Sequence, residues 1–127
     1  MSFLPEDDRK WLDATGWTYS EVEEVNKRGV IVAAFALPPG KFQVDRADIL
    51  VQIPLGYPDT NLDMFWCEPV LHLVPSGRQP NATNPELHFG RTWQRWSRHY
   101  KPGQWRPGID DLGSHRNVVL EALRIAA

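Results

Sequence analysis

Only one thiol, Cys67, is present in the 127 residues. A thiolate is the strongest nucleophile a protein offers for acyl transfer. Cys67 sits in the apolar run Phe65-Trp66-Cys67, where a free cysteine packs as a small hydrophobe more often than it reacts. Core packing is therefore expected ahead of catalysis. Ser97 and His99 form a second candidate pair. On an extended segment side chains i and i+2 share a face, so an imidazole can reach a hydroxyl; on a helix they diverge. Arg98 or Arg95 could then stabilise a carbonyl oxyanion, which would suit an ester-linked carrier or a hydrolytic step. No third orienting group is evident, and a hydrogen-bonded structural loop is the competing reading. His72, His88, His99 and His115 have no compact ligand spacing with Cys67, so neither a metal nor a cofactor is expected. Asp110 and Asp111 read as helix-capping acids rather than a catalytic pair.

Charge and aromatic residues are unevenly spread. Residues 87–109 carry Arg91, Arg95, Arg98, Lys101 and Arg106 and no acid, interleaved with Trp93, Trp96 and Trp105. Such a pattern can track phosphates and stack bases. The whole chain, however, has a net charge of -2, unlike most nucleic-acid-binding domains. Tryptophans at this density more often pack a second core, and Arg and Trp also anchor protein interfaces. Packing with a protein interface thus ranks first, with Trp93, Arg95, Trp96 and Trp105 as candidate binding residues. The first 25 residues hold seven acids, including Glu6, Asp7 and Asp8, against Arg9 and Lys10. Glu6 and Asp7 would suit a basic partner, or simply form a solvated helix face.

The elements that must position these groups are partly legible. Pro5 and three acids open a helix that Gly16 stops. Trp17–Val25, Val30–Leu37, Ala47–Ile53 and Met64–Cys67 read as strands, separated by turns rich in Gly, Pro and Asn. Residues 75–86 read as a surface loop, and Phe89–Trp105 fits neither the helical nor the strand period. An apolar stripe from Leu112 to Ile125 gives a final helix. The expectation is one α+β domain over residues 1–127, two layers, with a four-stranded antiparallel meander. No apolar run approaches the ~18 residues of a membrane span, and no signal-peptide pattern opens the chain, so a cytoplasmic location is expected.

Several phrases together resemble the ubiquitin-conjugating (E2/UBC) superfamily. A meander closed by Tyr57-Pro58-Asp59 is followed by an irregular stretch and a Trp-x-Pro element, Trp105-Arg106-Pro107, that leads into a helix. The chain is similar in finer detail to prokaryotic E2 family E. That likeness rests on Leu4-Pro5-Glu6-Asp7-Asp8, Ile53-Pro54-Leu55-Gly56-Tyr57-Pro58-Asp59, Asp63-Met64-Phe65-Trp66, Trp93-Gln94-Arg95-Trp96-Ser97-Arg98-His99 and Trp105 to Leu112. The resemblance implies an E2-like component of a bacterial ubiquitin-like conjugation system. It would contact a ubiquitin-like protein, an E1-like activating enzyme through its first helix, and a JAB-type deconjugating protease. Conjugating enzymes carry their cysteine about eight residues before the Trp-x-Pro tryptophan; here that count lands on Ser97. His88 lies near the usual His-Pro-Asn element but is followed by Phe89-Gly90. The expected catalytic set, if the chain is catalytic, is Ser97 and His99 with His88 as proton shuttle and Arg95 or Arg98 on the carbonyl. Tyr57 and Trp105 join the candidate binding residues, and the alternative is a noncatalytic RWD-like adaptor.

Overall fold

Capping chemistry fixes both helices. The acids Glu6, Asp7 and Asp8 occupy the positive first turn of α1 (Glu6–Thr15), and Gly16 ends it at φ 78°. At the other end of the chain, Asp111 caps α2 (Leu112–Ile125). Its carboxylate accepts from the Ser114 amide, and the Ser114 hydroxyl accepts from the Asp111 amide. Asp110 is not part of that cap and instead pairs with Arg106. The computed structural model describes residues 2–127.

Between the helices lie β1 (Tyr19–Glu24), β2 (Lys27–Ala36), β3 (Arg46–Gln52), β4 (Phe65–Glu68), β5 (Thr83–His88) and β6 (Arg91–Trp96). They form one antiparallel sheet in the order β1-β2-β3-β4-β6-β5. The four expected strands pair in sequence order, but the four-stranded count is corrected to six. Part of the expected loop and part of the irregular segment form the β5–β6 hairpin, with β6 beside β4. The alternation that marks a half-exposed strand is missing from β6 because both its faces are covered. Trp96 and Gln94 point towards the helices, and Trp93 is buried on the opposite face. Pro85 is tolerated because β5 is an edge strand.

Two cores result. The larger lies between the sheet and the helices and includes Leu12, Ile49, Phe65, Cys67, Trp96 and Leu123. The smaller lies on the outer face, where Ile31, Leu50, Trp66 and Trp93 are packed by Met64 and Phe89. The hairpin tip folds back over this face. Gly29 makes room for it: a β-carbon there would sit 2.8 Å from Leu50 Cδ1, 3.0 Å from the Val51 carbonyl oxygen and 3.3 Å from the Phe89 ring. No helix among the described residues is long and apolar enough to cross a membrane.

Candidate functional site

The loop after β3, the segment after β6 and the start of α2 converge on one cleft. Tyr57 anchors the loop from beneath. Its hydroxyl donates to Asp8 on α1 (2.5 Å) and accepts from the Leu112 amide of α2 (2.8 Å). Burial raises the carboxyl of Asp8, partly offset by the Tyr57 hydrogen bond. Trp105 pins the second wall, its indole N–H donating to the Pro58 carbonyl at 2.9 Å. The Met64 amide donates to the Arg98 carbonyl, joining the two walls again. Between them a groove of about 340 Å³ is lined by Asp59, Asn61, Tyr100, Lys101 and Trp105.

Three titratable groups in or beneath this cleft were not assigned from sequence. His115 is fully buried on α2, donates from Nε2 to the Met64 carbonyl (2.9 Å) and accepts the Tyr100 hydroxyl at Nδ1 (2.8 Å). Burial lowers its pKa, against the raising effects of the Met64 carbonyl and Asp63. Burial, with Asp110 and Asp63 adding to it, pushes the Tyr100 phenol up to about 12. Asp63 meets His99 at the surface, 2.9 Å from Nδ1. The burial of His115 was readable, since Leu112, His115, Val119 and Ala122 fall on one helical stripe. The Asp63–His99 pair joins residues 36 apart and left no local signal.

The structure sorts the candidate residues. Ser97 is half-buried, and its amide donates to the Ala82 carbonyl, extending the hairpin pairing by one residue. No Ser97–His99 hydrogen bond occurs among the described residues. Arg98 stacks over Trp96 at 4.9 Å and donates to the carbonyls of Asn81, Ala82 and Ser97. Burial lowers its pKa. That guanidinium is committed to backbone, not aimed at an incoming carbonyl. His88 is not at the cleft at all. It pairs with Arg91 at the hairpin turn, while Ser97 follows Trp96 at the open end, about 20 Å along the strand. A shuttle between His88 and Ser97 is thereby corrected.

The aromatic candidates are corrected too. Trp93 and Trp96 are completely buried, and Tyr57 and Trp105 are 8% and 9% exposed, so they build the two cores and the cleft floor instead of a contact surface. Arg95 binds Glu86 at 3.1 Å. Glu6 and Asp7 are exposed on α1, Glu6 pairing with Lys10. The basic segment is internally neutralised: Arg91 on Asp48 and Glu68, Arg95 on Glu86, Arg106 on Asp110. That removes most of the charge a phosphate backbone would need.

Cys67 is 0% exposed in β4, with Ile49 of β3 on one side and Gln94 of β6 on the other. Burial pushes its thiol far above the usual range. The family model of prokaryotic E2 family E matches residues 4–126. The chain belongs to this family. No curated protein and no solved structure matches it. A member of an E2 family whose one thiol lies inside the sheet needs another account of its active region.

Proposed function

We propose that the chain is an E2-like component of a ubiquitin-like conjugation system that binds a ubiquitin-like protein and its activating enzyme without forming a thioester on its own cysteine. The observation that carries this reading is the sealed position of Cys67. An acyl group on its sulfur would have to open a central strand and the helix-side core. Family membership supplies the conjugation context. The cleft between residues 59–64 and 97–105 is the candidate receiving surface. Exposed Glu6 and Asp7 on α1 offer a face to a basic partner. A deconjugating protease of the JAB type belongs to the same proposed system.

A second reading rests on Asp63 and His99. The carboxylate holds Nδ1, which leaves Nε2 open to solvent as a base two residues from Ser97. That would allow an ester on Ser97. Incubation with activating enzyme, ubiquitin-like protein and ATP separates the readings. The first predicts binding and no reductant-labile adduct. A hydroxylamine-labile, thiol-resistant adduct lost in Ser97→Ala would establish the ester. A reductant-labile adduct lost in Cys67→Ala would overturn the first reading.

A further inference from the structure

A lysine, an imidazole and a carboxylate line up at the hairpin tip, and the groove that Lys27 lines runs to Asn61 and Asp63 of the cleft. Lys27 Nζ lies 2.9 Å from His88 Nδ1, and His88 Nε2 is hydrogen bonded to Glu86 Oε1. An ionised carboxylate only accepts, so the ring hydrogen sits on Nε2 and the bare Nδ1 lone pair faces the lysine. Glu86 is itself held by the Trp66 indole N–H at 3.0 Å and by Arg95 at 3.1 Å. Burial alone would raise its carboxyl, but the hydrogen bonds from His88 and Trp66 and the nearby positive charge hold it below the usual range. The Gln52 amide lies 3.2 Å from Nε2, and the Phe89 ring lies 5.3 Å from Nζ. Among the described residues Glu24 is the one acid paired with Lys27, at 3.4 Å. Nucleophile, base and orienting group are thus in the order that acyl transfer uses.

Lys27 lines a groove of about 430 Å³ whose wall includes Ile53, Pro54, Leu55, Met64 and Trp66. Leu55 is 84% exposed there, an apolar side chain left in solvent at the rim. Clefts of this size hold small ligands or the end of an extended chain.

We propose that Lys27 is an acyl acceptor, modified by a thioester delivered along this groove with His88 as general base and Glu86 as the positioning residue. The Lys27 ammonium first gives one proton to solvent, and the free amine attacks the thioester carbonyl carbon. The C–N bond forms, the C–S bond breaks, and the thiolate leaves. His88 Nδ1 takes the proton shed by the nitrogen and returns it to the departing sulfur or to water. The products are one amide and one thiol, with no oxidant and no other reactant. The donor class is a carboxyl-terminal thioester of a polypeptide. That it comes from a ubiquitin-like protein rests on the proposed function; the chemistry of Lys27 does not.

A small donor tests the chemistry alone. The full chain is incubated with the mercaptoethanesulfonate thioester of N-acetylglycine, and each lysine is followed by peptide mass spectrometry. Lys10, Lys41 and Lys101 are the internal standards. The side chain of Lys27 is 29% exposed against 71% for Lys10, so accessibility alone ranks Lys27 behind. The expected result is acylation of Lys27 at least about tenfold faster than any standard, with that advantage lost in both His88→Gln and Glu86→Gln. Parity in the wild-type chain, or an undiminished advantage in both variants, overturns the proposal. If His88→Gln unfolds the chain, all four rates converge and Glu86→Gln decides. With activating enzyme, ubiquitin-like protein and ATP, the expected adduct resists both thiol and hydroxylamine and disappears in Lys27→Arg. Binding without that adduct overturns the acceptor role towards a polypeptide and leaves the proposed function standing. Selective acylation by the small thioester without partner binding does the reverse.

Discussion

Two carboxylate–imidazole pairs stand at opposite ends of the β5–β6 hairpin, and they are framed differently. At the cleft, Asp63 and His99 have side chains 41% and 59% exposed. At the hairpin tip, Glu86 and His88 are 29% and 14% exposed, and Trp66, Arg95 and Lys27 hold them from the sides. Water competes for every hydrogen bond of the first pair and for few of the second. The cleft does own a rigid imidazole, His115, but both of its nitrogens are spent on Tyr100 and Met64. An open base at the cleft is thus loosely held, and the rigid one has no free face. Only the tip combines a held imidazole with a neighbouring amine.

The largest expected break of this contrast is Trp93→Ala. The indole is completely buried in the outer core, donates to the His88 carbonyl at 3.1 Å and stacks under Arg91 at 4.3 Å. Its loss should cost about 3–5 kcal/mol in urea unfolding and release the tip. A cost below about 1 kcal/mol would mean the outer cluster is not a core. Next comes Glu86→Ala. It strips the acceptor from Trp66, His88 and Arg95, and Arg95 Nε already lacks a partner among the described residues. The expected loss is about 2–3 kcal/mol, read from thermal or urea unfolding. A neutral result would show that water frames this pair as it does the cleft pair.

How far the residues announced this arrangement depends on the range of the interactions involved. Helix ends were legible because caps are local: Pro5 with its acids, Gly16, and Asp111 three residues before Ser114. The first four strands were legible as apolar runs between turn residues. The hairpin was not, because Trp93 and Trp96 serve cores on opposite faces and erase the two-residue period. The likeness of His88 to the His-Pro-Asn position then suggested a shuttle to Ser97, although a hairpin sends residues on either side of its turn to one end and leaves the rest at the other. The buried fate of Cys67 was readable from Phe65-Trp66-Cys67. The partners of His88 and His99 were not, since Lys27 and Asp63 are 61 and 36 residues away and meet them only through the coiling of the sheet and the path of a loop.

Acid should separate the two ends. Burial depresses the pKa of His115 below its ordinary 6.5, so the unfolded chain binds the proton more readily than the folded one. Its stabilising contribution is present above about pH 6.5 and is lost as pH falls towards the depressed value. For one proton the slope is at most about 1.4 kcal/mol per pH unit. Glu86 is depressed from 4.5, so its contribution survives to lower pH. Unfolding free energy measured from pH 7 to 4 should decline first through His115, and His115→Gln should flatten that decline. An unchanged slope in this variant would remove His115 from the account.

The smallest expected effect belongs to the exposed pair at the cleft. Asp63→Asn keeps an oxygen near His99 and removes only the charge. Exposed ion pairs contribute about 0.2–1 kcal/mol and are screened by salt. The expected loss is under about 0.5 kcal/mol at low ionic strength and nothing measurable in 1 M salt, compared by urea unfolding at both. A loss above about 1.5 kcal/mol that survives salt would mean the loop carrying Asp63 depends on His99 as the hairpin tip depends on Glu86. The cleft would then be as rigidly framed as the tip, and His99 Nε2 would become the better-positioned base of the two.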